Sequence, residues 1–327
     1  GAFLFSRGFI KTGLGKRIAY NLIAAFGSSS LRLAYALALS DLILAPATPS
    51  NTARVGGVIM PITTSLAKAF GSEPQDGPRK IGSFLMQSIY QVNTITSAMF
   101  QTSMAGNTLV AALALQSFGI GITWGDWAMA AIVPGIIALI IMPYFIYKAY
   151  PPEIKDAREA QQMIKEELKG LGKMSFQEWV MLGVFILALV LWATSQFTKI
   201  DATTVAFLGI SILLATSVLV WDDVKSEKGA WDTLVWMGTL MGFAGFLSKL
   251  GFIKWATVLV GGYIPEGSWI IAFVIAVLIN TYSHYVFASL TAHISAMFVA
   301  FSAIAISAGA PPMLTLLMIA FTSNLCM

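Results

Sequence analysis

Apolar runs interrupted by short polar segments are the main pattern along this chain. Two such runs, at 33–43 and 55–70, flank a Pro-rich segment that contains the motif Ser50-Asn51-Thr52-Ala53-Arg54. Each run is shorter than the ~20 residues that cross hydrocarbon. The pattern therefore predicts a re-entrant helical hairpin, which enters and leaves the membrane on one side. A second hairpin is predicted with arms at 269–279 and 294–306.

The segments around the hairpins predict further helices. An interfacial helix is predicted within 1–30, and 255–262 resembles it. Residues 81–114 are long enough to cross the membrane, but their polar centre is typical of an unwound helix whose freed backbone groups face a cavity. Ordinary spans are predicted at 127–147, 179–197, 203–221 and 234–250, and a second broken helix begins at 314.

The polar motif and its upstream flank both occur twice. Ser289-Leu290-Thr291-Ala292-His293 repeats the Ser-x-Thr-Ala order of the first motif, and Gly251-Phe252-Ile253-Lys254 repeats Gly8-Phe9-Ile10-Lys11, with a four-residue slip. Five crossings are predicted between the two hairpins. Because five is odd, the hairpins enter from opposite faces, which predicts inverted repeats and is typical of a transporter.

The predicted repeats divide the chain into three parts. The first repeat, 1–147, contains the interfacial helix, a hairpin from the cytoplasmic side, a broken helix and one span. A charged linker follows at 148–178. The second repeat, 179–327, contains three spans, a hairpin from the outer side and the start of a broken helix. Basic residues concentrate in the linker and at 68–80, so both segments are predicted to be cytoplasmic.

Composition indicates an all-α polytopic membrane protein. Hydrophobic residues make up 57% of the chain, charged residues 11%, and the mean hydropathy is +0.76, whereas a soluble domain carries about a quarter charged residues. The net charge of +4 comes from loops and is no nucleic-acid signature. The single cysteine, Cys326, excludes an internal disulfide framework. The chain begins without methionine and stops in an apolar run, so we expect an internal fragment lacking both ends.

Each hairpin tip carries side chains suited to binding an anion. The second arm begins at the tip, so its unpaired N–H groups and the positive end of its dipole point into the cavity. Two opposed tips could each bind one carboxylate of a short dianion, and the same residues could also be ordinary helix N-caps. The tip candidates for substrate binding are Ser50, Asn51, Thr52, Ser289 and Thr291.

Polar residues of the two unwound helices complete the candidate site. They could contribute to an ion or substrate site, or could satisfy broken backbone. They are Thr102 and Asn107 in the first helix, and Thr322, Ser323 and Asn324 in the second.

Three basic side chains are candidates for compensating substrate charge: Arg54 and His293, at the same repeat position, and His284. An arginine at membrane depth is costly unless it is paired or hydrated. Arg54 could occupy the place of a sodium ion or be held by backbone carbonyls, and Asp41 could pair with Arg32 or Arg54. The histidines could respond to protons or be packing residues. No catalytic motif, phosphate loop or metal cluster is present, so neither an enzyme nor a cofactor is expected.

These motifs resemble those of a known transporter family. Ala47-Thr48-Pro49-Ser50-Asn51-Thr52-Ala53-Arg54, followed by Gly56-Gly57 and Pro61-Ile62, resembles the first Ser-Asn-Thr signature of the divalent anion:sodium symporter family. Segments 100–107 and 283–293 resemble the subgroup of bacterial citrate/succinate and tartrate/succinate antiporters and plastid 2-oxoglutarate/malate translocators. The resemblance runs along essentially the whole chain.

The resemblance implies an elevator-type, homodimeric carrier that exchanges di- or tricarboxylates of the succinate, malate, 2-oxoglutarate, citrate or tartrate class. We expect it in a bacterial inner membrane, and the five tip candidates would bind carboxylate. Leu290 departs from the Ser-Asn-Thr pattern and removes an amide expected in a second sodium site. With Arg54 and His293, this departure favours sodium-independent exchange.

Three alternatives remain open. A sodium-coupled symporter of the same substrates would bind Na⁺ at Ser50, Asn51 and the backbone near Gly106. An inorganic oxyanion carrier would transport sulfate or a similar ion. A non-transporting membrane scaffold or sensor would tolerate changes at Asn51 and Thr52 without any effect on uptake.

Overall fold

A computed structural model describes residues 2–251, 255, 269–287 and 289–325. These residues fold into helices and turns, with no β-strand among them and one isolated bridge between Ser29 and Asp156. The prediction of an all-α protein is confirmed for this part of the chain. The second flank motif and the segment predicted to resemble the interfacial helix lie largely outside the described residues.

The N-terminal region contains two helices where the sequence predicts one interfacial helix. These are α1 (Ala2–Thr12) and α2 (Leu14–Phe26), separated by Gly13. Gly13 has a φ of 75°, a left-handed conformation that glycine adopts readily and that interrupts a helix. Phe5 and Phe9 of α1 are buried against later helices. The predicted segment therefore contains two helices, and their place at the membrane interface stays a prediction.

A helical hairpin forms where the first is predicted, and its arms are longer than predicted. Its elements are α3 (Ser30–Leu44), a 3₁₀ turn (Ala45–Ala47), α4 (Asn51–Arg54), a π-helical turn (Val55–Ile59) and α5 (Met60–Ala69). Residues 48–50 form the tip. Proline has no N–H and disfavours helix at the residue before it, so Pro49 helps end the first arm. That arm, Ser30–Ala47, has 18 residues and could cross a membrane.

The predicted unwound helix is observed as two helices with a break between them. The helices are α6 (Gly82–Met99) and α7 (Ala105–Phe118). Phe100 and Met104 at the ends of the break are extended, with ψ values of 143° and 144°. The break therefore leaves backbone groups that need partners other than their own helix.

A series of helices connects the two hairpins. They are α8 (Trp124–Ala149), α9 (Arg158–Gly170), α10 (Phe176–Ala193), α11 (Ser195–Thr198), α12 (Ala202–Ala215), α13 (Trp221–Ser226) and α14 (Lys228–Lys249). Within the predicted linker, α9 buries Ala160 and Ile164 against α2 and exposes most of its charged residues. The linker helix is thus docked on the bundle rather than solvated all round.

The second hairpin has the same form as the first. It consists of α15 (Trp269–Ser283), a 3₁₀ turn (His284–Val286) and α16 (Leu290–Ser307), and α17 (Pro312–Ser323) packs against both arms. Each arm is an 18-residue apolar stretch, again longer than predicted. The two arms pack side by side, and their re-entry into the membrane stays a prediction.

Two hydrophobic clusters meet along α6. Leu85 and Ile89 of α6 belong to a cluster with α1, α2, α3, α10 and α12, whereas Ile95 and Met99 belong to one with α7, α8, α16 and α17. The first cluster packs against the first hairpin, and the second cluster packs against the second hairpin. The break after α6 therefore lies where the two hydrophobic clusters meet.

Five helices among the described residues are long and apolar enough to cross a membrane. They are Ser30–Ala47, Trp124–Ala149, Phe176–Ala193, Trp269–Val286 and Leu290–Ser307. Two of the five predicted crossings between the hairpins, α8 and α10, are in this set. The remaining crossings, and with them the inverted topology, stay predictions.

Candidate functional site

The first tip places its polar residues at the start of a helix. Ser50 is the N-cap of the second arm, and its Oγ accepts a hydrogen bond from Ala53 N at 3.1 Å. Asn51 Oδ1 accepts from Thr52 N at 2.9 Å. Ser50 and Asn51 are partly exposed and Thr52 is exposed. The three predicted residues therefore lie together at the positive end of a helix, where an anion is favoured.

The second tip repeats this arrangement. Ser289 is the N-cap of α16, and its Oγ accepts from Ala292 N at 3.4 Å. Thr291 is half-buried in the first turn of the helix. Leu290 lies between them, where the first tip has Asn51. Both tips thus present a capped helix N-terminus, and the second has fewer polar side chains.

Arg54 is fully engaged by protein oxygens. Its side chain is buried, and its Nε donates to Asp41 Oδ1 at 2.8 Å. The four remaining hydrogen bonds of the guanidinium go to Thr48 O, Ser103 O, Thr96 Oγ1 and Ser97 Oγ, at distances of 3.0 to 3.2 Å. Asp41 neutralises the charge and also accepts from the Thr96 hydroxyl. We call Arg54 with these five partners the arginine clamp.

The arginine clamp ties α6, which carries Thr96 and Ser97, to three other parts of the chain at the first tip. Asp41 belongs to the first arm, Thr48 to the tip itself, and Ser103 to the break of the unwound helix. Of the pairings left open by the sequence, Asp41 forms the one with Arg54. Arg54 therefore stabilises the conformation of the tip, and direct compensation of substrate charge by Arg54 stays a prediction.

The predicted residues of the first break satisfy backbone groups. Thr102 Oγ1 donates to Pro46 O at 2.5 Å. Asn107 Nδ2 donates to Ser97 O at 2.8 Å and to Phe100 O at 2.9 Å. Both side chains are buried. They hold the break in shape, and their contact with a substrate stays a prediction.

A second set of amide contacts joins the start of α7 to the C-terminal end of α17. Asn324 Nδ2 donates to Asn107 Oδ1 at 2.9 Å, although these residues are 217 positions apart. Asn280 of the second hairpin donates from Nδ2 to Thr322 Oγ1 at 3.3 Å and to Ser323 Oγ at 3.1 Å. The structure therefore brings together the candidates from both ends of the chain.

The two histidines lie side by side at the second tip. The ring centroids of His284 and His293 are 4.6 Å apart, and His293 Nε2 is 2.9 Å from Ser283 Oγ. The Ser283 hydroxyl can give its one hydrogen to Asn280 O, so His293 Nε2 donates in this arrangement. Within the described residues, the Nδ1 atoms of both histidines and the Oδ1 atoms of Asn280 and Asn324 are buried without a hydrogen-bond partner.

Both hairpins contact the same short segment, 103–106. Arg54 of the first hairpin donates to Ser103 O at the end of the loop. Ile294 of the second hairpin packs so closely on Gly106, in the first turn of α7, that a Cβ there would lie 2.6 Å from Ile294 Cδ1. The end of the loop and the first turn of α7 are therefore the meeting point of the two hairpins.

Sequence reasoning missed part of the polar framework. Asn280 precedes His293 by the same thirteen residues that separate Asp41 from Arg54. Each pair also lies beside a Thr-Ser sequence: Thr96 and Ser97 of α6 bond to Asp41 and Arg54, and Thr322 and Ser323 of α17 bond to Asn280. The repeated spacing was the available signal, since it extends the match between the two motifs back into the first arms.

Comparison with known proteins places this arrangement in a family. The profile described as "Sodium:sulfate symporter transmembrane region" matches residues 1–327. The chain belongs to this family. It is the divalent anion:sodium symporter family that the motifs resemble, so the resemblance is confirmed. The chain is accordingly part of a family of multi-pass membrane transporters.

Several curated relatives are similar over almost the whole chain. "Putative malate transporter YflS" of Bacillus subtilis (strain 168) is 53% identical over 99% of this chain and 68% of its own length. "Dicarboxylate transporter 1, chloroplastic" of Spinacia oleracea is 46% identical over 99% of this chain and 58% of its own. "Inner membrane protein YbhI" of Escherichia coli (strain K12) is 44% identical over 99% of this chain and 68% of its own length. The chain spans roughly three-fifths to two-thirds of the length of these relatives.

Proposed function

We propose that the protein containing this chain exchanges di- or tricarboxylates across the membrane without sodium. The observation that carries the proposal is the pair of N-capped helix starts at Ser50 and Ser289, on two hairpins that both contact the segment 103–106. Two positive helix ends about one cavity suit a short molecule with a carboxylate at each end. The names of the relatives, which include malate and dicarboxylate transporters, support this substrate class.

The arginine clamp supports independence from sodium. Its guanidinium is surrounded by two backbone carbonyls, two hydroxyls and one carboxylate. Oxygen atoms of these kinds are the ligands that hard metal cations prefer. Because a covalently attached cation already occupies this oxygen cage, the first tip needs no dissolved ion to hold it together.

Alternating access would follow from an elevator-type movement, in which the bundle that bears the hairpins slides against the rest of the protein. The two hairpins would belong to inverted repeats, and the carrier would be a homodimer. The tips would carry the substrate with them. An empty carrier would present two uncompensated positive helix ends to hydrocarbon, whereas a bound dianion would offset them. This asymmetry favours exchange over net uptake.

The test is uptake of labelled succinate by proteoliposomes that contain the full-length protein. Vesicles would be preloaded with succinate or left empty, each with and without a sodium gradient. We expect uptake only into preloaded vesicles, at the same rate with sodium and with choline. Uptake into empty vesicles driven by sodium would refute the proposal. Uptake of sulfate that succinate fails to compete with would support an inorganic oxyanion carrier instead.

One observation favours cation-coupled uptake as a second candidate. The oxygens Asn280 Oδ1 and Asn324 Oδ1 and the ring nitrogen His293 Nδ1 are buried acceptors without a hydrogen-bond partner among the described residues. Buried acceptors of this kind are costly unless a proton, a water or a cation joins them. Stimulation of uptake by a sodium or proton gradient in empty vesicles would establish this candidate, and its absence would reject it.

A further inference from the structure

Trp124 connects the meeting loop of the hairpins to its surroundings. It is the first residue of α8 and is buried. Its indole Nε1 donates to Thr102 Oγ1 at 3.0 Å, and the same hydroxyl donates to Pro46 O at 2.5 Å. Because an indole nitrogen only donates, the direction of both bonds is fixed. One indole N–H therefore sets the loop at 100–104 against the end of the first hairpin arm.

Both faces of the Trp124 ring are also occupied. Phe100, the first residue of the loop, is stacked on it with ring centroids 5.6 Å apart and planes 17° apart. Trp192 of α10 is stacked at 6.1 Å and 15°. Trp192 is itself fixed, since its Nε1 donates to Ala202 O at 3.1 Å. Trp124 thus lies between the loop and a helix outside both hairpins.

Neighbouring contacts hold Trp124 in this place. Thr123 and Asp126 form a capping box that defines the start of α8. Gln101 Nε2 donates to Ile122 O at 3.1 Å, which is a second link from the loop to this segment. Gln196 Nε2 donates to Asp126 Oδ1 at 2.7 Å. These contacts fix the position of the indole ring against which the loop packs.

We propose that Trp124 is a positioning residue for substrate binding, which acts through Thr102 and Phe100 and holds the loop in its binding conformation. The inference rests on the proposed carboxylate exchange. Loss of the indole N–H would free the Thr102 hydroxyl and loosen the loop that carries Ser103. The binding conformation would then be populated less, so apparent affinity should fall while the maximal rate changes little.

The experiment measures KM and maximal rate of succinate exchange with the full-length protein. Trp124→Phe keeps an aromatic ring and removes the N–H, and we expect KM to rise about three- to tenfold, the range for one buried hydrogen bond. Thr102→Val also removes the bond to Pro46 O and should give at least as large a rise, whereas Thr102→Ser, which keeps the hydroxyl, should give a smaller one. Trp179→Phe, at a position that is 59% exposed, is the matched control and should leave KM unchanged.

The double variant of Trp124→Phe with Thr102→Val decides between positioning and mere structural support. Because Thr102→Val already removes the hydroxyl that accepts from Trp124, adding Trp124→Phe to it should raise KM little further. Fully additive effects would overturn the inference. So would an unchanged KM with a lower yield of folded protein, which is the signature of a purely structural role. Absence of exchange by the unchanged protein would refute the proposed function and, with it, this inference.

Discussion

Replacing Arg54 by alanine should create a stabilising effect of sodium that the unchanged protein lacks. Arg54 fills a closed cage whose oxygens come from the first arm, the tip, α6 and the loop. Alanine removes the guanidinium and leaves the Asp41 carboxylate buried without its cation. A sodium ion is the simplest species that restores both the charge and the oxygen contacts.

The magnitude follows from burial of the pair. Arg54 and Asp41 have side chains that are 0% and 2% exposed. Loss of one partner of a buried ion pair costs about 3–5 kcal/mol. At about 2–4 °C per kcal/mol, the Tm should fall by roughly 6–20 °C. Sodium at a hundred times its Kd would return about 2.7 kcal/mol, so most of the loss should be reversible.

The assay is thermal unfolding of the purified full-length protein in sodium chloride and in choline chloride at equal ionic strength. Arg158→Ala is the matched control, because Arg158 pairs with Asp156 on the exposed surface of the linker and such pairs contribute little. We expect Arg54→Ala alone to have a lower Tm in choline and to recover in sodium. An Arg54→Ala protein as stable as the parent, or one indifferent to sodium, would refute the cage argument.

Two other predictions concern packing and pH. Gly106→Val should reduce the rate of exchange more than tenfold, because the valine side chain would displace Ile294 and separate the second hairpin from α7. The control is Gly183→Val, which should leave exchange unchanged because the space around Gly183 is open. Burial would raise the pKa of Asp223, but hydrogen bonds from the Lys11 ammonium and from Val220 N, together with the charges of Lys11 and Arg7, outweigh it and lower that pKa. The resulting stabilisation is present above the ordinary value of about 3.9 and disappears as pH falls through the lowered one. Lys11→Met should therefore lower the Tm at pH 6, with a difference from the parent that shrinks below pH 4.

Local polarity was enough to predict the break between α6 and α7. The sequence places polar residues around Thr102 inside an otherwise apolar segment, and the structure interrupts the helix at 100–104. Arm lengths were underestimated because the residues beside the apolar runs were not counted. Ser30, for example, begins the first arm and is buried, with its hydroxyl donating to Ile154 O.

Contacts distant in sequence could not be predicted from spacing. Nothing in a linear pattern joins Trp124 to Trp192, or Asn107 to Asn324, because these contacts depend on how the clusters pack. The break at Gly13 was missed for a different reason. Glycine is compatible with both a helix and a left-handed residue, and only the packing of α1 against later helices selects the second.

The two tips differ in how their polar partners are charged, and this difference bears on coupling. The pair at the first tip, Asp41 with Arg54, is neutral overall and closed by hydrogen bonds. The corresponding pair at the second tip, Asn280 with His293, has open acceptors. A proton or a metal cation bound there would satisfy these acceptors, whereas the closed pair at the first tip leaves none to satisfy. Uptake into empty vesicles at pH 7 and at pH 5, each with and without a sodium gradient, tests this difference. We expect no uptake under any of these conditions, and uptake driven by either gradient would show that the second tip couples transport to a cation.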